Sequence, residues 1–295
     1  MAWSVRGAAL DPPGRRGNPW TPGVPAGSLR ARRIVSVNVG VDEILLSLVP
    51  PERIAALGAL ADDPEISNVT ELARAVTGRV SQVDAERILA LEPDLIVVPH
   101  YVRREVLVQL EEGGVDILRI PDCWSVNDIR GHLRFLGKAL GEPERAEGLV
   151  REMDAVLEEV RSRTAGRPRP RVLFVGSNGE TQGRGTNFDL FVEAAGGINA
   201  AAEAGMEGRA ALPMERALAL DPDILLVLGY RSGRKARGPG VRPKLADDPA
   251  WQDARAVKEG RVHELNAAHM LSTSHHVTKT AEDLARILHP ECYPR

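Results

Sequence analysis

The chain is poor in the residues that usually announce a function. Only Cys123 and Cys292 are present among 295 residues. That is too few for a disulfide framework, and their separation does not make a zinc site. Aromatic residues make up 4% of the chain. Neither sign of charge dominates: 38 Lys and Arg face 41 Asp and Glu, for a net charge of −3. No global basic field exists to hold nucleic acid. Apolar runs stop at about five residues, as at Ile224 to Leu228, against the roughly 20 that a membrane helix needs. Neither a Gly-x-Ser-x-Gly elbow nor a His-Glu-x-x-His pair occurs, and no Gly-x-Gly-x-x-Gly follows the first apolar run. What is present is an ordinary core-forming composition, 43% hydrophobic and 27% charged, at a length that suits one large or two ordinary domains.

Residues 1–33 differ from the rest. They hold five Pro, five Gly and six Arg against one Asp. Such a segment buries little, so a disordered or loosely attached tail is expected. Arg15-Arg16 is similar to a twin-arginine signal, but no apolar stretch of roughly 7–15 residues follows it, and no cysteine lies near the start to carry a lipid. The sequence therefore shows neither a signal peptide nor a lipobox.

After Arg33, strand and helix alternate. The β-branched run Ile34 to Val39 reads as a strand and Asp42 to Leu48 as a helix stopped by Pro50-Pro51. Arg53 to Leu57, Leu95 to Val98 and Asp116 to Ile120 read as further strands, with helices over Ser81 to Ala90, Val102 to Glu112 and Val126 to Leu140. Such alternation implies βαβ units and a parallel sheet. A long helix, Pro143 to about Thr164, keeps Ala146, Leu149, Val150, Met153, Val156, Leu157 and Val160 on one stripe. The alternation then restarts with strands at Val172 to Val175, Ile224 to Leu228 and Arg261 to Leu265, and helices at Phe188 to Ala195 and Val277 to Leu288.

The two halves echo each other. Residues 83–98 align without gaps with residues 212–227, and Glu, Arg, Leu, Ala, Leu, Pro, Asp and Val recur in register. Each copy reads as a helix, an acidic-Pro-Asp turn and a buried strand. The expected fold is α/β: two Rossmann-like lobes with parallel sheets, joined by one long backbone helix, with a ligand cleft between them. The boundaries are 34–142 for the N-terminal lobe, 143–166 for the connecting helix and 167–295 for the C-terminal lobe.

This duplicated block resembles the substrate-binding proteins of ATP-driven importers for metal chelates. Three further segments share the resemblance: Ile34 to Glu43, the block Asp248 to Val262 with its Pro249-Ala250-Trp251 and Ala256-Val257-Lys258-Glu259-Gly260-Arg261-Val262, and Leu284 to Glu291. The resemblance covers residues 33–292. It implies capture of a ferric siderophore, haem or cobalamin-type chelate and delivery to an ABC importer permease and, through it, its ATPase. It further implies a periplasmic or extracytoplasmic place, at odds with the missing export signal; an incomplete or misassigned N-terminus is the expectation that reconciles them. No intrinsic cofactor, no nucleic-acid partner and a monomer are expected; the metal is left open.

Candidate residues follow from position. Glu86 and Glu215 occupy matching places in the repeat, and the resemblance implies that they dock onto permease arginines; a carboxylate in a first helical turn is the plainer reading. Tyr101, Trp124 and Tyr230 follow strands, and Phe188 opens a helix after the glycine-rich loop 176–187, which reads as a flexible cleft loop. Aromatic faces suit a large flat ligand, although each also suits core or rim packing. Arg231 beside Tyr230 offers charge to an anionic chelate. His100, His269 and His275 lie where the cleft is expected and offer imidazoles to a metal. Asn38 and Asp42 near the first strand end suit ligand hydrogen bonds or a cap. Two other readings remain at this stage: a binder of free Zn or Mn ions using His100, His269, His275 or His276, and a Rossmann-like enzyme.

Overall fold

The computed structural model describes residues 31–176, 179–229, 245 and 248–293. The expected tail lies outside them up to residue 30. Its last residues are not loose: Ala31 is buried, and Asp94 accepts from the backbone N–H groups of Arg32 (2.6 Å) and Arg33 (3.0 Å).

The first half contains β1 (Ile34–Ser36), α1 (Val39–Leu48), β2 (Ile54–Gly58), α2 (Thr70–Ala73), β3 (Gly78–Val80), α3 (Ala85–Leu89), β4 (Leu95–Pro99), α4 (Arg104–Glu112), β5 (Asp116–Ile120) and α5 (Val126–Leu140). Its sheet runs β3-β2-β1-β4-β5, every pair parallel. Leu95, Ile96, Val97 and Val98 are fully buried, as an apolar run covered on both faces must be. The first strand is shorter than its β-branched run. Asn38 accepts from Val41 N at 3.2 Å, which starts α1 at Val39; a side-chain cap outcompetes strand propensity there.

One 22-residue helix, α6 (Pro143–Thr164), links the halves. At 1.5 Å per residue it is about 30 Å long. Its buried stripe, Ala146, Val150, Met153, Leu157 and Val160, faces a single apolar core that runs from Ile34 and Leu95 to Val172 and Phe174. Each of the larger side chains contributes roughly 1.5–3 kcal/mol on burial. The helix thus lies along both sheets as part of their core. Gly137 on α5 permits the closest crossing, because a Cβ there would stand 2.3 Å from that of Ala146.

The second half contains β6 (Arg171–Val175), β7 (Glu180–Gln182), α7 (Asn187–Ala194), β8 (Ile198–Asn199), α8 (Ala200–Glu203), β9 (Arg209–Ala211), α9 (Met214–Ala219), β10 (Ile224–Leu228), α10 (Arg255–Lys258), β11 (Val262–Leu265), α11 (Ala267–Met270) and α12 (Lys279–Leu288). Its main sheet is parallel, in the order β11-β10-β6-β8, and β7 pairs antiparallel with β9. The glycine-rich segment read as a flexible loop is therefore partly a strand, held by a partner nearly 30 residues away. In each half the chain reverses direction across the sheet beside the first strand. Open α/β sheets place their ligand crevice at the strand C-termini there.

The repeated turn has a common construction. Glu92 (φ 50°) and Asp221 (φ 40°) adopt left-handed backbone just before a proline. The helix carbonyls left open are taken by an arginine from the first strand's start. Arg33 donates to Leu91 O (2.5 Å) and Glu92 O (2.8 Å), and Arg171 to Leu220 O (2.7 Å) and Asp221 O (3.1 Å). Orphan carbonyls at a helix end need such donors.

Candidate functional site

A cavity of about 370 Å³ opens between the halves, at the lower end of the range for small-molecule sites. Cys123 and Trp124 line it from the first half. Gln182, Gly185, Thr186, Asn187 and Arg209 line it from the second, and Met270 to Thr273 close it.

The first wall is set by the start of α5. Asp128 Oδ2 accepts from the backbone N–H of Trp124 and of Ser125, both at 2.9 Å, and from Ser125 Oγ at 3.0 Å. Ser125 Oγ in turn accepts from Asp128 N at 3.2 Å. The exchange between Ser125 and Asp128 caps the helix, and the separate bond from Trp124 N to Asp128 holds the backbone that carries the indole, while the side chain stays 59% exposed. The neighbouring Cys123 is half-buried. Burial, helped by the Asp128 carboxylate, pushes its thiol up to about 12.

The second wall is the β7–β9 ribbon and the start of α7. Gly183 accepts the ribbon closely: a Cβ there would lie 2.2 Å from Met206 O. Thr186 caps α7 by accepting from Asp189 N (3.2 Å), and it donates to Gly183 O (2.8 Å). Asn199 ties the two together, donating to Gln182 O (2.9 Å) and Asp189 Oδ1 (3.0 Å).

The floor is held from the opposite half. Glu43 of α1 is fully buried. It accepts from the backbone and side-chain N–H of Asn68, each at 2.8 Å, from Ser272 Oγ at 2.7 Å and from Ser274 Oγ. Asn68 also donates to Ala268 O (2.8 Å). A Cβ on Gly40 would fall 2.0 Å from Thr273 Oγ1, so only glycine admits this close approach. A buried carboxylate is stable only when its oxygens are satisfied in this way. Sequence reasoning passed over Glu43; its signal was an acidic residue inside the apolar stretch Val39 to Leu48.

The proposed ligand residues scatter. Trp124 is the one among the described residues that lines the cavity. Phe188 is a correction: it is 1% exposed and packs on Phe174, with ring centroids 5.6 Å apart. The apolar face of this short helix, Phe188, Phe191 and Val192, turns into the core. Asn38 caps α1. Asp42 is buried beneath the sheet edge, accepting from Gly58 N at 3.1 and 3.3 Å. Burial pushes its carboxyl up to about 7, against the opposing bonds from Ser36 and Gly58. His100 does not line the cavity; it lies 3.2 Å from Asp122, with the 68% exposed Tyr101 edge-on to its ring. His269 pairs with Asp283 at 2.6 Å. His275 lies inside, 3.3 Å from Ser47 Oγ, and its ring packs on His276 at 4.1 Å. Burial lowers His275 to about 3 and His276 to about 4. Tyr230 and Arg231 lie outside the described residues. Among the described residues no group of three or more His, Cys, Asp or Glu is arranged to hold a bare metal ion. Glu86 and Glu215 are exposed in the first turns of α3 and α9.

Comparison with known proteins bears on this cleft. A family model described as periplasmic binding protein matches residues 34–268. The chain is similar in structure to the periplasmic heme-binding protein RhuT from Roseiflexus sp. RS-1 in its apo form. That likeness has a TM-score of 0.72 and 29% identity, and covers 89% of this chain and 99% of that one. It is 23% identical over 262 residues to a cobalamin-binding protein of Halobacterium salinarum, covering 87% of this chain and 69% of that protein. It is also 21% identical over 221 residues to an uncharacterized ABC transporter substrate-binding lipoprotein of Bacillus subtilis, covering 72% and 67%.

Proposed function

The chain belongs to the periplasmic binding protein family, and from that premise we propose that it captures a metal chelate outside the cytoplasm and delivers it to the permease of an ATP-driven importer. The observation that carries this reading is the cavity between two similar lobes, walled by Trp124 on one side and the β7–β9 ribbon on the other. Relatives named for heme and cobalamin binding support a macrocyclic or comparably bulky chelate. At about 370 Å³ the cavity takes such a ligand edge-on, with part of it left outside. The cargo leaves unchanged, as membership of a family of binding proteins implies. Lobe motion is of small amplitude, because α6 packs into the core of both halves and Glu43 ties the floor of the cleft to α1. Glu86 and Glu215, one exposed carboxylate per lobe, form a two-point charge contact with permease cations that reads lobe spacing.

The test is direct. Cyanocobalamin, haemin and ferric siderophores are added to purified protein and tryptophan emission is followed. One class quenches emission with micromolar or tighter affinity. Capture of chelates is the wrong function if none binds and no coloured ligand co-purifies.

A further inference from the structure

We propose that Asp128 is a positioning residue of the cleft, holding Trp124 as a preset stacking surface for the cargo; this rests on the chelate-capture reading above. Asp128 does not line the cavity, whereas Trp124 does. The link between them is the bond from Trp124 N to Asp128 Oδ2 at 2.9 Å. The same oxygen takes the next backbone N–H and the Ser125 hydroxyl. A helix cap needs only the exchange between Ser125 and Asp128. The bond to Trp124 is additional, and it fixes the residue that carries the exposed indole. On the other side Cys123 packs against the core. The Trp124 backbone is therefore clamped from both sides, and only its side-chain torsions remain free. An indole left mostly in solvent gains little for folding, yet on a fixed backbone it leaves only two side-chain torsions for the ligand to order. Its face is apolar and electron-rich, which suits the flat or conjugated face of a chelate. Leu271, 41% exposed, lines the same cavity from the floor segment and offers a second apolar contact.

A double-mutant cycle read by calorimetry tests this, because it needs no tryptophan reporter. Cyanocobalamin, haemin and ferric desferrioxamine are titrated into the full chain, and the tightest binder is carried forward. Trp124→Ala weakens binding tenfold or more. Asp128→Ala weakens it about fivefold, the scale of one lost hydrogen bond, but changes it less than twofold when Trp124 is already Ala. Ser125→Ala removes the cap, lowers Tm and leaves affinity within twofold. Asp128→Asn keeps an acceptor oxygen, folds, and restores affinity to within twofold of the starting protein. The proposal is overturned if Asp128→Ala costs the same in both backgrounds, if Ser125→Ala reproduces its effect on affinity, or if Trp124→Ala binds normally. Failure of all three chelates to bind the unmodified protein is a different result: it removes the capture reading itself.

Discussion

The two lobes are alike where each helix hands over to its strand and different where those strands end. At the shared place, an acidic residue with left-handed backbone, a proline and an aspartate recur, and an arginine catches the helix carbonyls in both copies. At the strand C-termini the first lobe presents one indole on a capped helix start, and the second presents a polar antiparallel ribbon. The turn serves the same helix-to-strand step in each lobe, ahead of β4 and of β10, and it is built the same way in both copies. The crevice edge answers to the ligand, and there the two copies have separated. Matching positions on the outer surface, Glu86 and Glu215, belong to the shared part.

The largest effect expected from this comparison concerns that outer pair. Glu86→Arg combined with Glu215→Arg abolishes chelate uptake in cells that carry the matching permease, while affinity measured by tryptophan quenching stays unchanged. Each single substitution impairs uptake by a similar factor if the lobes dock as equals. A collapse of affinity in the double variant sinks the docking role.

A second effect sets two groups of buried titratable side chains against each other by pH. Asp42, in the first, is raised from 3.8 to about 7 by burial. It holds a proton that the unfolded chain has lost, so its contribution is full below pH 3.8 and disappears as pH rises through 7. His275 and His276, in the second, are lowered from 6.5 to about 3 and about 4, chiefly by burial. Their contribution is full above pH 6.5 and is lost as pH falls. As pH falls from 6.5 toward 4 the two histidines withdraw stability and Asp42 opposes them, with His132, lowered chiefly by burial, acting on the side of the histidines. Asp42→Asn removes the opposing contribution, so the acid loss grows. Urea unfolding at the two pH values measures both slopes. A variant with a shallower acid slope than the parent contradicts the assignment.

Much of this was legible in the sequence, and the gaps have physical causes. The buried strands at Leu95 and Ile224, the stripe of α6 and the duplicated turn follow from local period and proline placement, and they stand where expected. Trp124 could be placed at the cleft because an aromatic residue followed a strand. Phe188 went wrong because a place at a helix start beside a loop does not say which face the side chain takes; it packs on Phe174 in the core. The ribbon was invisible because Glu180 to Gln182 is short, polar and without alternation; only its distant partner makes it a strand. The cavity floor, Met270 to Thr273, lies between His269 and His275, where the cleft was expected, but none of its four residues was singled out. Its position depends on Glu43, more than 200 residues earlier, and no local pattern encodes that meeting.

The smallest expected difference probes the shared turn itself. Arg33→Ala and Arg171→Ala each strip two carbonyls of their guanidinium donor. The copies are not equally supported. In the second lobe Arg255 also donates to Asp221 O at 3.1 Å and pairs with Asp223 at 2.8 Å, so one carbonyl keeps a partner when Arg171 is lost. The Arg171–Glu203 pair is half-exposed and adds little. Water reaches these turns and replaces part of what is removed. Arg33→Ala should therefore cost about 2 kcal/mol and Arg171→Ala about 1 kcal/mol. Adding Arg255→Ala to Arg171→Ala should bring the second lobe to the cost of the first. Chemical denaturation of the three variants reads the difference. If Arg171→Ala proves the costlier single change, the backup role of Arg255 is wrong, and the two turns differ in some way other than the number of cations that serve them.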